Sequence, residues 1–176
     1  MTAIVDVPTE DKLDATVTRI SDAWKAIGSD PSMVRLLNYR ADLIPPFFEF
    51  YLKLRGDGLL PARVKEMARF QIANLNGCAY CLQSLSTLAE QQGLTDAHIT
   101  EMTVRPPGLY TEQELAAMDL AKAMWNNASA AGKDKALIDR LHKHFTDGQV
   151  VELTWALAMY IGLGKMVVFS GIDRDS

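Results

Sequence analysis

Cys78 and Cys81 are the two cysteines of the chain, and two residues separate them. Thiols at C-x-x-C spacing can close a disulfide, exchange it with a partner, or bind a metal. Glu66, twelve residues before Cys78, adds a carboxylate on what the pattern makes a neighbouring helix. Asn76 and Gly77 read as a helix end, which sets Cys78 at the start of the next helix. Unpaired amides at a helix start favour a thiolate, so position alone makes Cys78 the more acidic thiol. Cys81 falls one turn later on the same face, close enough for one thiolate to attack and the other to resolve the product. Attack on a peroxide leaves a sulfenic acid, which the second thiol converts to a disulfide. Glu66 could accept a proton, directly or through a water, or it could pair with Arg63, Arg69 or Arg105.

Helices must position these groups. Leu13, Val17, Ile20, Trp24 and Ile27 recur at steps of four and three, one face of a helix that ends near Gly28. Asp30 and Pro31 open a short second helix, and Pro45 and Pro46 a third over 47–54. Pro61 starts a fourth, over 62–74, and a fifth is expected to run from the cysteines to Gln92, closed by Gly93. A short helix follows Thr95. Thr111 with Glu114, and Thr146 with Gln149, are capping boxes for two later helices. Between those two the pattern gives a loose turn over 129–133 and a helix over 135–145. Nothing alternates with period two, so the fold class is all-α. Arg63 to Ala68 echoes Gln149 to Thr154, with Glu152 in the place of Glu66, and the missing thiols make Glu152 structural.

A chain of 176 residues, 48% hydrophobic, fits one domain with a full core. Its net charge of −4 argues against a nucleic-acid partner. Residues 150–169 are apolar but carry Glu152 and Lys165, and read as a core helix with no membrane partner. The N-terminus lacks the basic and apolar regions of a secretory leader, so a reducing, cytoplasmic location is expected. Zinc fits poorly: there is no second C-x-x-C, and His142 and His144 are wrongly spaced to share a helix face. His98 reads as a surface side chain that could approach the cysteine helix. Trp24, Trp125 and Trp155 read as core or subunit-contact residues. The segment 45–51 and the last helix, where Gly162 and Gly164 permit close approach, are candidate contacts between copies.

Leu60, Pro61, Ala62, Arg63, Glu66 and the run Gly77, Cys78, Ala79, Tyr80, Cys81 resemble the carboxymuconolactone decarboxylase superfamily, in its alkylhydroperoxidase D-like (AhpD-like) branch. Gly93 and the segment 145–154 extend the likeness, which runs from about Asn38 onward. The resemblance implies an AhpD-like helical bundle over 1–176, with 1–37 as a helical extension and a core of about 38–176. It also implies homo-oligomers, trimers or hexamers, and a thiol peroxidase or disulfide reductase without metal or other cofactor. Its partners would be a hydroperoxide or other small molecule and a dithiol reductant protein. By the resemblance Cys81 is the attacking thiol, Cys78 the resolving thiol and Glu66 the proton acceptor, with Tyr80 in support. The family histidine four residues after the second cysteine is replaced by Leu85, one helical turn from Cys81 if the helix continues. Leucine cannot shuttle a proton, and Ser84 and Ser86 could at most hold a water. That departure keeps two alternatives open: a muconolactone-type decarboxylase, and a non-catalytic or regulatory oligomer with a vestigial redox site.

Overall fold

Pro61 and Gly77 delimit the central element. The proline ring fixes its own backbone for entry into the helix Ala62–Asn76, and Gly77 leaves that helix at φ 62°, in the left-handed region where a side chain is disfavoured. The amide of Cys78 then donates to the Ala73 carbonyl at 3.0 Å and that of Gly77 to Asn74 at 3.1 Å, a Schellman ending. The chain is a computed structural model that describes residues 4–83 and 85–172.

Ten α-helices carry the fold among the described residues: α1 (Ala15–Ala26), α2 (Ser32–Leu36), α3 (Ile44–Arg55), α4 (Ala62–Asn76), α5 (Ala79–Leu82), α6 (Thr87–Gln91), α7 (Asp96–Thr100), α8 (Glu112–Ala131), α9 (Lys135–His144) and α10 (Asp147–Ser170). Two 3₁₀ segments, Glu10–Lys12 and Leu37–Leu43, complete the path, and no strand occurs among these residues. The all-α expectation holds, as does a single domain. Both capping boxes form, at Thr111 with Glu114 and at Thr146 with Gln149.

Every residue of α4 from Val64 to Ala73 is buried. One stripe, Val64, Ala68 and Ile72, packs with Ala117 and Leu120 of α8 and Leu153 and Leu157 of α10. The opposite side, Met67 and Phe70, packs with Ala89, Leu94 and Met118. A third cluster joins Val17 of α1, Val34 of α2 and Phe48 of α3 to Cys78 and Val167. The end of α4 therefore delivers Cys78 into a cluster built largely by the N-terminal helices. Ion pairs lock the layers: Lys65, with no exposed surface, pairs with Glu152, which also accepts the amide of Leu59 at 2.7 Å. Glu152 is structural, as its sequence context indicated.

Three expectations need correction. The cysteine helix does not run unbroken to Gln92; it stops at Leu82 and resumes at Thr87. The turn expected over 129–133 is instead mostly helix, because α8 runs on to Ala131 past a kink at Asn127, whose Oδ1 caps the amide of Ala130 at 3.0 Å. His98 is buried, not superficial. Its ring sits within the Thr95 cap, against Tyr110 and 3.0 Å from the Arg63 guanidinium.

Candidate active site

Cys78 and Cys81 are joined in a disulfide, with Cα atoms 5.2 Å apart. The two sulfurs are not equivalent. Cys78 has no exposed surface, whereas Cys81 is half-buried and lines a cavity of about 690 Å³. Cys78 caps the short helix α5, and its sulfur accepts the amide of Cys81 at 3.2 Å. That N–H faces the sulfur on which negative charge would collect when the disulfide opens at Cys81.

Glu66 is 1% exposed and bound on three sides. Arg55 donates to it at 2.7 and 3.2 Å, Arg69 at 2.9 and 3.0 Å, and the amide of Ser86 at 3.0 Å. Burial alone would raise its pKa, but the Arg69 and Arg55 guanidiniums outweigh burial and hold the carboxyl at about 2. Burial likewise disfavours the charged Arg55, and Glu66 more than restores it, so Arg55 stays protonated. Of the ion-pair partners the sequence offered, Arg69 is real. Arg63 instead pairs with Glu114, and Arg105 with Asp119. Arg55, the second partner, was missed, since nothing local in a sequence joins the last turn of α3 to α4.

The same cluster explains the broken cysteine helix. In a continuous helix the Cys81 carbonyl would accept the amide of Leu85, and Ser86 would donate to Leu82. Arg69 takes the Cys81 carbonyl at 2.6 Å, and Glu66 takes the Ser86 amide. A charged pair on α4 thus replaces two helical hydrogen bonds with charge-assisted ones, which are stronger. Leu85 therefore does not stand one turn along the same helix from Cys81. It packs against the cluster that holds Met67, Phe70 and Ala89 and borders the cavity. Ser84 lies outside the described residues.

Tyr80 points the other way. Its hydroxyl donates to the Asp30 carbonyl at 2.6 Å and accepts the Met33 amide at 3.4 Å, and burial pushes the phenol up, so it stays neutral. These bonds tie the cysteine segment to the loop between α1 and α2, which with Trp24 and Met33 walls one side of the cavity. Phe48, Tyr51, Tyr160 and Val167 wall another. Trp24 meets Phe48 edge-on at 5.9 Å. Glu66 and Cys78 do not line the space, whereas Arg55, Arg69 and Cys81 do. Among the described residues no group of His, Cys, Asp and Glu could hold a metal ion.

Residues 45–123 match the carboxymuconolactone decarboxylase family. A solved structure of an alkylhydroperoxidase AhpD core, an uncharacterized peroxidase-related protein from Ralstonia eutropha JMP134, superposes with a TM-score of 0.72. The identity is 24%, over 97% of this chain and 90% of that one, so the two share a fold. No curated protein matches the chain. The resemblance read from the sequence is borne out in the segment that holds Glu66, Cys78 and Cys81.

Proposed function

Starting from a chain whose residues 45–123 match the carboxymuconolactone decarboxylase family, on an AhpD-like fold, we propose that it is a thiol-dependent hydroperoxide reductase working through Cys81 and Cys78. The observation that carries this reading is the asymmetry of the disulfide: one sulfur is buried, the other opens on a cavity. The reduced Cys81 thiolate attacks the terminal oxygen of a hydroperoxide, the O–O bond breaks, and the alkoxide takes a proton and leaves as an alcohol. Cys81 is then a sulfenic acid. The Cys78 thiol displaces its oxygen as water and forms the disulfide, and the peroxide has accepted two electrons from the pair. A dithiol partner restores the site by attacking Cys81, and Cys78 leaves as a thiolate facing the Cys81 amide. The partner ends as a disulfide. That cycle needs a reducing compartment such as the cytoplasm.

Glu66 serves this chemistry as a positioning residue. A carboxylate held near 2 is a weak base at neutral pH, but it fixes Arg69, which fixes the Cys81 carbonyl. The same reading includes assembly with further copies of the chain through α10.

The test is to count free thiols in pre-reduced protein before and after hydroperoxide, for wild type, Cys81→Ser and Cys78→Ser. Wild type should consume one peroxide per two thiols lost. Cys81→Ser should consume none, and Cys78→Ser should stall as a sulfenic acid. If peroxide leaves both wild-type thiols intact for hours, the reading fails, and decarboxylation or a non-catalytic oligomer moves ahead.

A further inference from the structure

Tyr80 joins the cysteine pair to one wall of the cavity. It stands between the two cysteines, in the four-residue helix α5, and its hydroxyl reaches back 50 residues to the Asp30 carbonyl. The same hydroxyl accepts the Met33 amide at 3.4 Å. The Asp30 carboxylate takes the amide and the hydroxyl of Ser32 at 2.8 and 2.6 Å, and Tyr80 takes the next amide along. The start of α2 is thus completed by a side chain from the cysteine segment. Ile27, Gly28, Ser29 and Asp30, which lead into α2, line the same cavity as Cys81.

A helix of one turn does not hold itself together in water, and α5 is held from three directions. The disulfide fastens it to Cys78, buried at the end of α4. Arg69 grips the Cys81 carbonyl at 2.6 Å, and Tyr80 binds the Asp30 carbonyl at 2.6 Å. A segment already fixed by one tie has less freedom to lose when the next one forms, so such ties strengthen each other. Coupling of this kind is reciprocal: the disulfide favours the Tyr80 tie by the factor by which the tie favours the disulfide.

We propose that Tyr80 is a positioning residue that couples the redox state of the cysteine pair to the loop between α1 and α2. The loop is fastened to the cavity wall while the disulfide is closed, and it loosens when the pair is reduced. The coupling rests on the thiol cycle of Cys78 and Cys81 proposed above. In that cycle the loosened wall belongs to the reduced form, the state that must admit a hydroperoxide. Closure of the disulfide draws the wall back.

Redox equilibrium with glutathione tests the coupling without peroxide. Two glutathione thiols give the disulfide two electrons and two protons and leave as glutathione disulfide, so the buffer ratio at half reduction yields the equilibrium constant. Tyr80→Phe keeps the ring in its apolar cluster and removes the hydroxyl. It should shift the constant about fivefold toward the dithiol, on the scale of one hydrogen bond. Tyr39→Phe, which loses a bond to the Asp6 carbonyl outside the cavity lining, should leave the constant unchanged. Hydrogen exchange gives the second reading: the wild-type Met33 amide should exchange about fivefold faster in the reduced form, and alike in both forms of Tyr80→Phe. A role that merely stabilises both forms equally moves neither readout. An unchanged constant in Tyr80→Phe, or equal Met33 exchange in the two wild-type forms, overturns the coupling and leaves the peroxidase reading standing. Thiols that show the coupling with glutathione but ignore hydroperoxide uphold it and overturn the peroxidase reading.

Discussion

A carboxylate gripped by two guanidiniums and an amide is an anchor before it is a base. Glu66 ordinarily titrates at 4.5, and in the folded protein it is held at about 2. The folded value is the lower one, so the unfolded chain binds more protons between these limits, and stability there rises with pH. Its contribution is complete above pH 4.5 and is lost as pH falls toward 2. A shift of that size corresponds to about 3 kcal/mol. Urea midpoints should therefore stay level for this group from neutrality to about pH 5 and then fall steeply. Glu66→Gln should remove that part of the acid limb and cost about 3–5 kcal/mol at pH 7, because Arg55 and Arg69 are left buried without their anion. An acid limb of the same size in Glu66→Gln would show that other carboxylates carry it. The glutamate was legible in the sequence at its distance from the cysteines. Its actual ligands were not, since Arg55 and the Ser86 amide reach it only through tertiary packing.

Elements with local causes were the legible ones. Pro61 and Gly77 placed the two ends of α4, and the capping boxes placed the starts of α8 and α10, because each signal lies within a few residues of the end it specifies. The break between α5 and α6 was illegible for the opposite reason: its cause is a salt bridge on α4 that competes for two backbone groups. Gly77 offers a test at this scale. Its φ of 62° and that of Gly28 at 73° both lie in the left-handed region, and a Cβ at either site meets nothing within 4 Å. Alanine at each should cost about 1–2 kcal/mol of backbone strain, read as a matched loss in urea unfolding. Only Gly77→Ala should also alter the rate of disulfide exchange with glutathione, because the Schellman bonds next to it set the position of Cys78. Equal exchange rates in both variants would separate the helix ending from the thiol chemistry.

At the scale of the whole molecule, α10 carries more apolar surface than the rest of the chain covers. By length and composition its 24 residues could cross a membrane, yet only 39% of its most apolar stretch is buried inside the chain's own fold. Its polar groups Glu152 and Tyr160 face inward, and Val151, Trp155 and Phe169 face out at 61, 56 and 67% exposure. Lys165 is exposed as well, so a bilayer against this face would strip water from a cation. In the proposed assembly a second copy would cover this stripe and leave the ammonium at a wet rim. The sequence offered this helix as a candidate contact between copies. Its other candidate, the 45–51 segment, turns much of its surface inward, where Phe47 stacks on Tyr51 and Phe48 packs on Trp24. Sedimentation velocity should find wild type at a multiple of the 19.5 kDa chain. Trp155→Glu should weaken association by about 2 kcal/mol or more, roughly thirtyfold, with helical circular dichroism unchanged. A wild-type monomer at tens of micromolar, on the order of any useful dimer constant, would mean that α10 is covered by something other than its own kind.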